Sequence, residues 1–273
     1  KGPKNSILTF TALPWPTMLR RVPRRSSTHL PRRDYTRPRH DGCMSDVRAV
    51  VFDCDGVLTD NGSSWQNIHD HFGTENLETL ERFLNGEISD DEFMADDIRL
   101  WTAVQPEIHR EDIMRCYSGI TLIPGAREMV RALQSRMIFV AIVSAGVDVF
   151  VGTIADMLKV DDWAANGFDW DDEGMLRGPA PTQVNSHEKG LLVEKLARIK
   201  ELEPESIVSV GDSSTDLSMM IPGSGFIGFN PARQRAVDAF EAAGVPVVLE
   251  GDLRALWPHI FDGEEFPDSG EGD

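Results

Sequence analysis

The chain has 273 residues, 41% of them apolar and 26% charged, enough for one large or two moderate domains with a real core. Its net charge of −18 is unevenly spread: residues 1–43 carry ten Lys/Arg against two Asp, and the rest carry seventeen against forty-three Asp/Glu. The acidic body repels nucleic-acid phosphates, and no apolar run reaches the roughly 20 residues of a membrane helix, which argues against both kinds of partner.

Residues 20–39, basic and proline-rich with almost no hydrophobic pattern, read as a disordered arm. An organelle-targeting segment and a nucleic-acid-binding tail are the alternatives. The preceding "SILTFTALPWPTML" is broken by two prolines and flanked by charge mostly on the wrong side for a secretory signal. The folded protein is expected to start at Met44. Three cysteines (Cys43, Cys54, Cys116), an odd number without metal-ligand spacing, argue for a reducing, cytoplasmic compartment and against a disulfide framework. Cys54 reads as a small buried filler.

From Asp46 onward, strands and helices alternate. Strands are expected at Val47–Phe52, Ile138–Val143, Ser206–Val210, Gly225–Gly228 and Val245–Leu249. Helices are expected at Ala126–Gln134, Val147–Leu158, Glu188–Leu202, Ala232–Ala243 and Leu253–Ile260. This alternation predicts an α/β fold: a Rossmann-like, doubly wound parallel sheet over residues 44–62 and 123–261, with its ligand crevice beyond the carboxyl ends of the strands. Residues 63–122 hold no convincing strand and read as four helices, a small helical cap domain inserted after the first strand. Ser89 with Glu92 has capping-box spacing, and Gly73, Gly86 and Gly119 fit helix stops. Residues 262–273 read as an acidic, disordered tail.

Four segments place reactive groups just after predicted strands. Asp53 and Asp55 leave the first strand on one side, one suited to attack phosphorus and the other to acid–base work. Gly56 lets the chain turn away closely. Ser144, in "AIVSAG", is expected to end the second strand and cap a helix, where a hydroxyl and backbone N–H groups, Ala145 among them, bind phosphate oxygens. Lys189 falls in the first turn of a helix, where a cation opposes the macrodipole, so a purely structural role is disfavoured. Asp212 follows Gly211 at a strand end, as a Mg²⁺ ligand would. Asp216, four residues on, has capping-box spacing with Ser213. His69 and His71 lie two apart on a helix, do not share a face, and do not form a metal site.

The set Asp53-Cys54-Asp55-Gly56-Val57, Ser144, Lys189 and Gly211-Asp212…Asp216 resembles, in order and spacing, the four motifs of the haloacid dehalogenase superfamily. "VSAGVDVFV", "AANGFDWDDEGMLRG" and "GDSSTDLSMM" are similar to its phosphoserine-phosphatase-like branch, especially archaeal members. The resemblance implies a Mg²⁺-dependent phosphomonoester hydrolase acting on a small phosphorylated metabolite. Asp53 would become aspartyl-phosphate and Asp55 would serve as acid, then base. Mg²⁺ would be held by Asp53, the Asp55 backbone carbonyl and Asp212. Ser144 and Lys189 would hold phosphate oxygens, and Asp216 would orient Lys189 or a metal-bound water.

Gly62 and, by register, Ala95 stand where that branch has a cap Glu and a carboxylate-binding Arg, and Thr215 replaces an Asn. These departures count against phosphoserine itself. Trp65, Arg99 and Trp101 are the candidates for cap residues facing the site. A phosphotransferase or mutase, and a phosphate-binding regulator without turnover, are the alternative functions. The oligomeric state, monomer or homodimer, stays open.

Overall fold

The computed structural model describes residues 46–267; the arm at 1–43 and residues 268–273 lie outside the described residues. In chain order the elements are β1 (Ala49–Phe52), α1 (Ser64–Phe72), α2 (Leu77–Leu84), α3 (Asp90–Val104), α4 (Arg110–Arg115), α5 (Ala126–Ser135), β2 (Phe139–Val147) and α6 (Asp148–Leu158). There follow β3 (Asp162–Asn166), β4 (Phe168–Trp170), β5 (Leu176–Pro179), α7 (Gly190–Lys200), β6 (Ile207–Gly211), β7 (Gly225–Phe229), α8 (Gln234–Ala243), β8 (Val247–Val248) and α9 (Trp257–Ile260).

Six strands form one parallel sheet in the order β3-β2-β1-β6-β7-β8. The chain winds outward from β1 to β3, then returns to β1's other side with β6. The strand order therefore reverses between β1 and β6, the position where open α/β sheets bind ligands. All four residues of β1 are buried. Val50 and Phe52 join one apolar cluster and Ala49 and Val51 the other, as the two-residue side-chain period requires of a strand covered on both faces.

Three strands escaped the sequence reading. β3 reads Asp-Trp-Ala-Ala-Asn, with no β-branched residue, and its first two positions are exposed. β4 and β5 form a short antiparallel hairpin closed by Asp171, whose carboxylate accepts the N–H groups of Glu173 and Met175. The hairpin abuts the inserted helices: Leu176 N–H donates to the Ile108 carbonyl and Arg110 N–H to that of Gly174. The predicted helix at Leu253–Ile260 is broken. A 3₁₀ turn covers Leu253–Leu256 and α9 only four residues, because Pro258 has no N–H to continue an α-helix through it.

Between β1 and α5 lie α1–α4. Ser89 and Glu92 form the expected capping box at the start of α3. Gly73, in the left-handed conformation, ends α1, and Gly86 and Gly119 also take positive φ. Part of the expected disordered tail is packed: Phe266 meets Trp257 edge-on, and Glu264 pairs with Arg136 at 2.7 Å.

Candidate active site

The reactive groups converge where the strand order reverses. Asp53 is the first residue beyond β1 and Asp212 the first beyond β6. Lys189 precedes α7, with its N–H bonded to Ser218 Oγ at 3.1 Å. Its ammonium is 3% exposed and joins two carboxylates, Asp53 Oδ1 at 3.0 Å and Asp216 Oδ1 at 2.6 Å. Asp216 Oδ2 accepts the N–H groups of Asp212 and Ser213 and the Ser213 hydroxyl. Asp216 therefore fixes both Lys189 and the turn carrying Asp212, and the expected Ser213–Asp216 box reduces to the Asp reaching back.

Asp55 is held as firmly. Its Oδ2 accepts the N–H and the hydroxyl of Ser64, both at 2.7 Å, and its Oδ1 accepts Asn61 Nδ2 at 2.9 Å. Ser64 Oγ in turn accepts the Val147 N–H at 2.9 Å, tying α1 to the end of β2. Neither Ser64 nor Asn61 stands out in the sequence. The role of Ser64 appears only once β2 is alongside.

Three glycines make room. Gly56 has φ +74°, and a Cβ there would lie 2.4 Å from Asp212 Oδ2. A Cβ on Gly146 would meet Ser64 Oγ at 2.7 Å and Asp55 Oδ2 at 2.8 Å. Gly211 backs onto Asp216 in the same way.

Ser144 lines the cavity and is buried, but it neither ends β2 nor caps α6. The strand runs to Val147, and α6 begins at Asp148 without a side-chain cap. The Ser144 hydroxyl accepts the Gly146 N–H at 3.1 Å instead, since the helix starts too far on for it to reach. Ala145 also lines the cavity, and its carbonyl accepts Trp65 Nε1–H at 2.9 Å. Buried Asn166 was also missed. It bonds the main chain of Gln183 and Val184 and so steadies the loop leading to Lys189.

Burial dominates the electrostatics. It pushes the Asp53 carboxyl up to about 7 against the pull of Lys189, with Asp216 and Asp55 adding to the rise. Asp212 is raised by burial and then by Asp216 and Asp53. Asp55 is raised by burial, opposed by the Ser64 and Asn61 hydrogen bonds. Lys189 is lowered by burial, but Asp216 and Asp53 outweigh that and hold it protonated. Oxygens of Asp53, Asp212 and Asp216 lie within 4.8 Å of one another, the one grouping suited to a metal ion among the described residues. Neither His69 nor His71 belongs to it. Asp216 has both oxygens engaged, which leaves Asp53 and Asp212 as hard oxygen donors with too little positive charge nearby. That donor set fits Mg²⁺.

The cavity, about 390 Å³, extends from these groups to the inserted helices. Trp65 and Thr215 line it. Arg99 does not: it is exposed and paired with Asp96 at 2.6 Å. Trp101 is fully buried, stacked on Trp65, and belongs to the core of the insertion. The inward face of α3 is Asp90, Phe93, Met94 and Asp97, with helical spacing, so the register that chose Ala95 lands on the exposed face. Gly62 lines the cavity with open space around it.

Residues 47–222 match the haloacid dehalogenase-like hydrolases. The chain belongs to this family. Phosphoserine phosphatase of Archaeoglobus fulgidus is 32% identical over 191 residues, 67% of this chain and 52% of that protein. The Methanocaldococcus jannaschii phosphoserine phosphatase is 30% identical over 179 residues, 63% of this chain and 80% of its own length. The chain thus spans about half of the first relative and most of the second. Among solved structures, a phospho-aspartyl intermediate analogue of phosphoserine phosphatase superposes with a TM-score of 0.64 at 26% identity, covering 78% of this chain and 99% of its own. A substrate-bound phosphoserine phosphatase complex shares the fold at the same TM-score and 23% identity. Among the described residues no helix is long and apolar enough to cross a membrane.

Proposed function

We propose that this enzyme is a Mg²⁺-dependent phosphatase that hydrolyses a small phosphorylated metabolite through an aspartyl-phosphate at Asp53. The observation that carries the reading is the pairing of Asp53, held by Lys189, with an independently held Asp55 one residue on. Lys189 holds one Asp53 oxygen, and no side chain among the described residues holds the other. That second oxygen attacks phosphorus, the P–O bond to the alcohol breaks, and Asp55 gives the leaving oxygen its proton. Water then attacks the phosphorus of the acyl phosphate and gives its proton to Asp55, the bond between the Asp53 oxygen and phosphorus breaks, and inorganic phosphate leaves. Ser144 and Lys189 bind phosphate oxygens. Asp53 and Asp212, with the Asp55 main-chain carbonyl, would hold Mg²⁺, which supplies charge neutralisation between two anions.

The phosphoserine phosphatase relatives, one with a phospho-aspartyl analogue, support an aspartyl-phosphate route. The inserted helices α1–α4 act as the cap that selects the ester. We place the protein in the cytoplasm, where Cys54 and Cys116 stay reduced.

The test is phosphate release from a panel of esters by the full chain, with Mg²⁺ and with chelator, together with borohydride trapping. Metal-dependent release, trapping of residue 53 as homoserine, and loss of both in Asp53→Asn are expected. Turnover surviving Asp53→Asn would remove the aspartyl-phosphate route.

A further inference from the structure

The cap wall of the cavity holds an anion that phosphoryl transfer does not use. Asp97, on the inward face of α3, lines the cavity and is 0% exposed. Its Oδ1 accepts from His69 Nε2 at 3.0 Å and from Asn76 Nδ2. Its Oδ2 has no hydrogen-bond partner among the described residues.

His69 is itself held from its far side: its Nδ1 accepts the Trp101 Nε1–H at 3.1 Å and lies 2.7 Å from the Thr74 hydroxyl, so Nε2 is the nitrogen that faces Asp97. Asp97 is thus a buried carboxyl group with two partners on one oxygen and none among the described residues on the other. A carboxylate in that state is costly to bury unless something in the cavity pairs with it.

The other charges on this wall are of the same sign. Asp70, held by Gln66, and Asp90, held by Ser186, also line it. The cations lining the cavity among the described residues are Lys189, Arg233 and Arg235, all from outside α1–α4. Arg235 is already committed to the Leu84 carbonyl and the Asn85 side chain.

We propose that Asp97 recognises an ammonium group on the alcohol part of the substrate, so that the ester is an amino-alcohol phosphate. The inference rests on the phosphatase reading for the substrate's orientation: phosphate at Lys189, alcohol part toward α3. It makes Asp97 a specificity-determining residue.

The test measures binding apart from turnover. Calorimetry on full-length Asp53→Asn compares ethanolamine phosphate with ethylene glycol monophosphate, in which a hydroxyl replaces the ammonium. At least tenfold tighter binding of the ammonium ester is expected. In Asp53→Asn/Asp97→Asn that preference should vanish, and in Asp53→Asn/Asp97→Glu it should persist. The ratio is taken within one variant, so a general loss of fold does not imitate the effect. Equal binding of the two esters to Asp53→Asn, or a preference that survives Asp97→Asn, would overturn the proposal even if the variants are unstable. Ammonium-dependent binding without hydrolysis by the wild type would sink the phosphatase reading and leave Asp97 as the reader. Hydrolysis without the preference would do the reverse.

Discussion

At the sheet end of the cavity, Asp53, Asp55 and Asp216 each have named donors, and Lys189 bridges two of them within 3.0 Å. At the helical end the same cavity is walled by Leu77, Leu80, Phe83, Leu84 and Phe93, with one oxygen of Asp97 unpartnered among the described residues. The sheet end is over-determined: Asp216 holds Lys189, Lys189 holds Asp53, and Ser64 holds Asp55 while also bonding β2. Such preorganisation suits a charge distribution that is the same for every phosphate ester. On the proposed function, the helical end leaves contacts to be completed by the alcohol that the ester carries. Chemistry and selectivity would then rest on different elements, and mutations should separate them.

The largest effect is expected at Lys189. Lys189→Met leaves Asp53 and Asp216 buried without their cation, which should destabilise the fold by about 3–5 kcal/mol and lower kcat/KM by roughly 10³-fold. Urea titration and steady-state kinetics check both; a loss below tenfold would take Lys189 out of the phosphate site. Ser64→Ala comes next. It removes one of three hydrogen bonds to Asp55 and should lower kcat by about tenfold. Those bonds favour the charged form, so losing one raises the Asp55 pKa, and the alkaline limb of the kcat–pH profile should move to higher pH. A limb that stays put would mean Asp55 is not the titrating acid.

A third prediction concerns stability. Without metal, burial pushes the folded Asp53 carboxyl up to about 7 from the ordinary value of 3.8 that it has in the unfolded chain, so the folded chain binds more protons between those values. Metal-free protein should accordingly lose stability as pH rises from about 4 to 7, and its Tm in chelator should fall across that window. Mg²⁺ should raise Tm more at pH 8 than at pH 5, because it favours the ionised carboxylates; equal shifts at both values would argue against Asp53 as a ligand. The smallest effect is expected from Arg235→Ala. It breaks an exposed contact between α8 and the end of α2, and should change stability by less than about 1 kcal/mol and KM by less than threefold.

The strand-end carboxylates were legible because short apolar runs mark buried strands, and polar groups directly after them lie at the sheet's carboxyl edge. Ser144 lines the cavity, but its expected capping role is displaced by three further residues of β2. β3 was invisible because alanines and an exposed aspartate carry no strand signal, and the β4–β5 hairpin because each strand is too short to show alternation. Ala95 faces away from the cavity for a geometric reason. Two residues along a helix turn a side chain by about 200°, so Asp97 points inward while Ala95 lies on the exposed face.

Sequence alone determined the parallel sheet and the helical insertion, and singled out Asp53, Asp55, Lys189, Asp212 and Asp216 as candidates, since each follows from local pattern: burial along a strand, a charged residue at a helix start, a carboxylate at a strand end. Only the tertiary structure decided that Ser64 and Asn61 hold Asp55, that Gly146 clears the space beside it, and that His69 faces Asp97. Those relations join residues from different elements, and their distances are set by how the helices pack across the sheet edge, which no local spacing encodes.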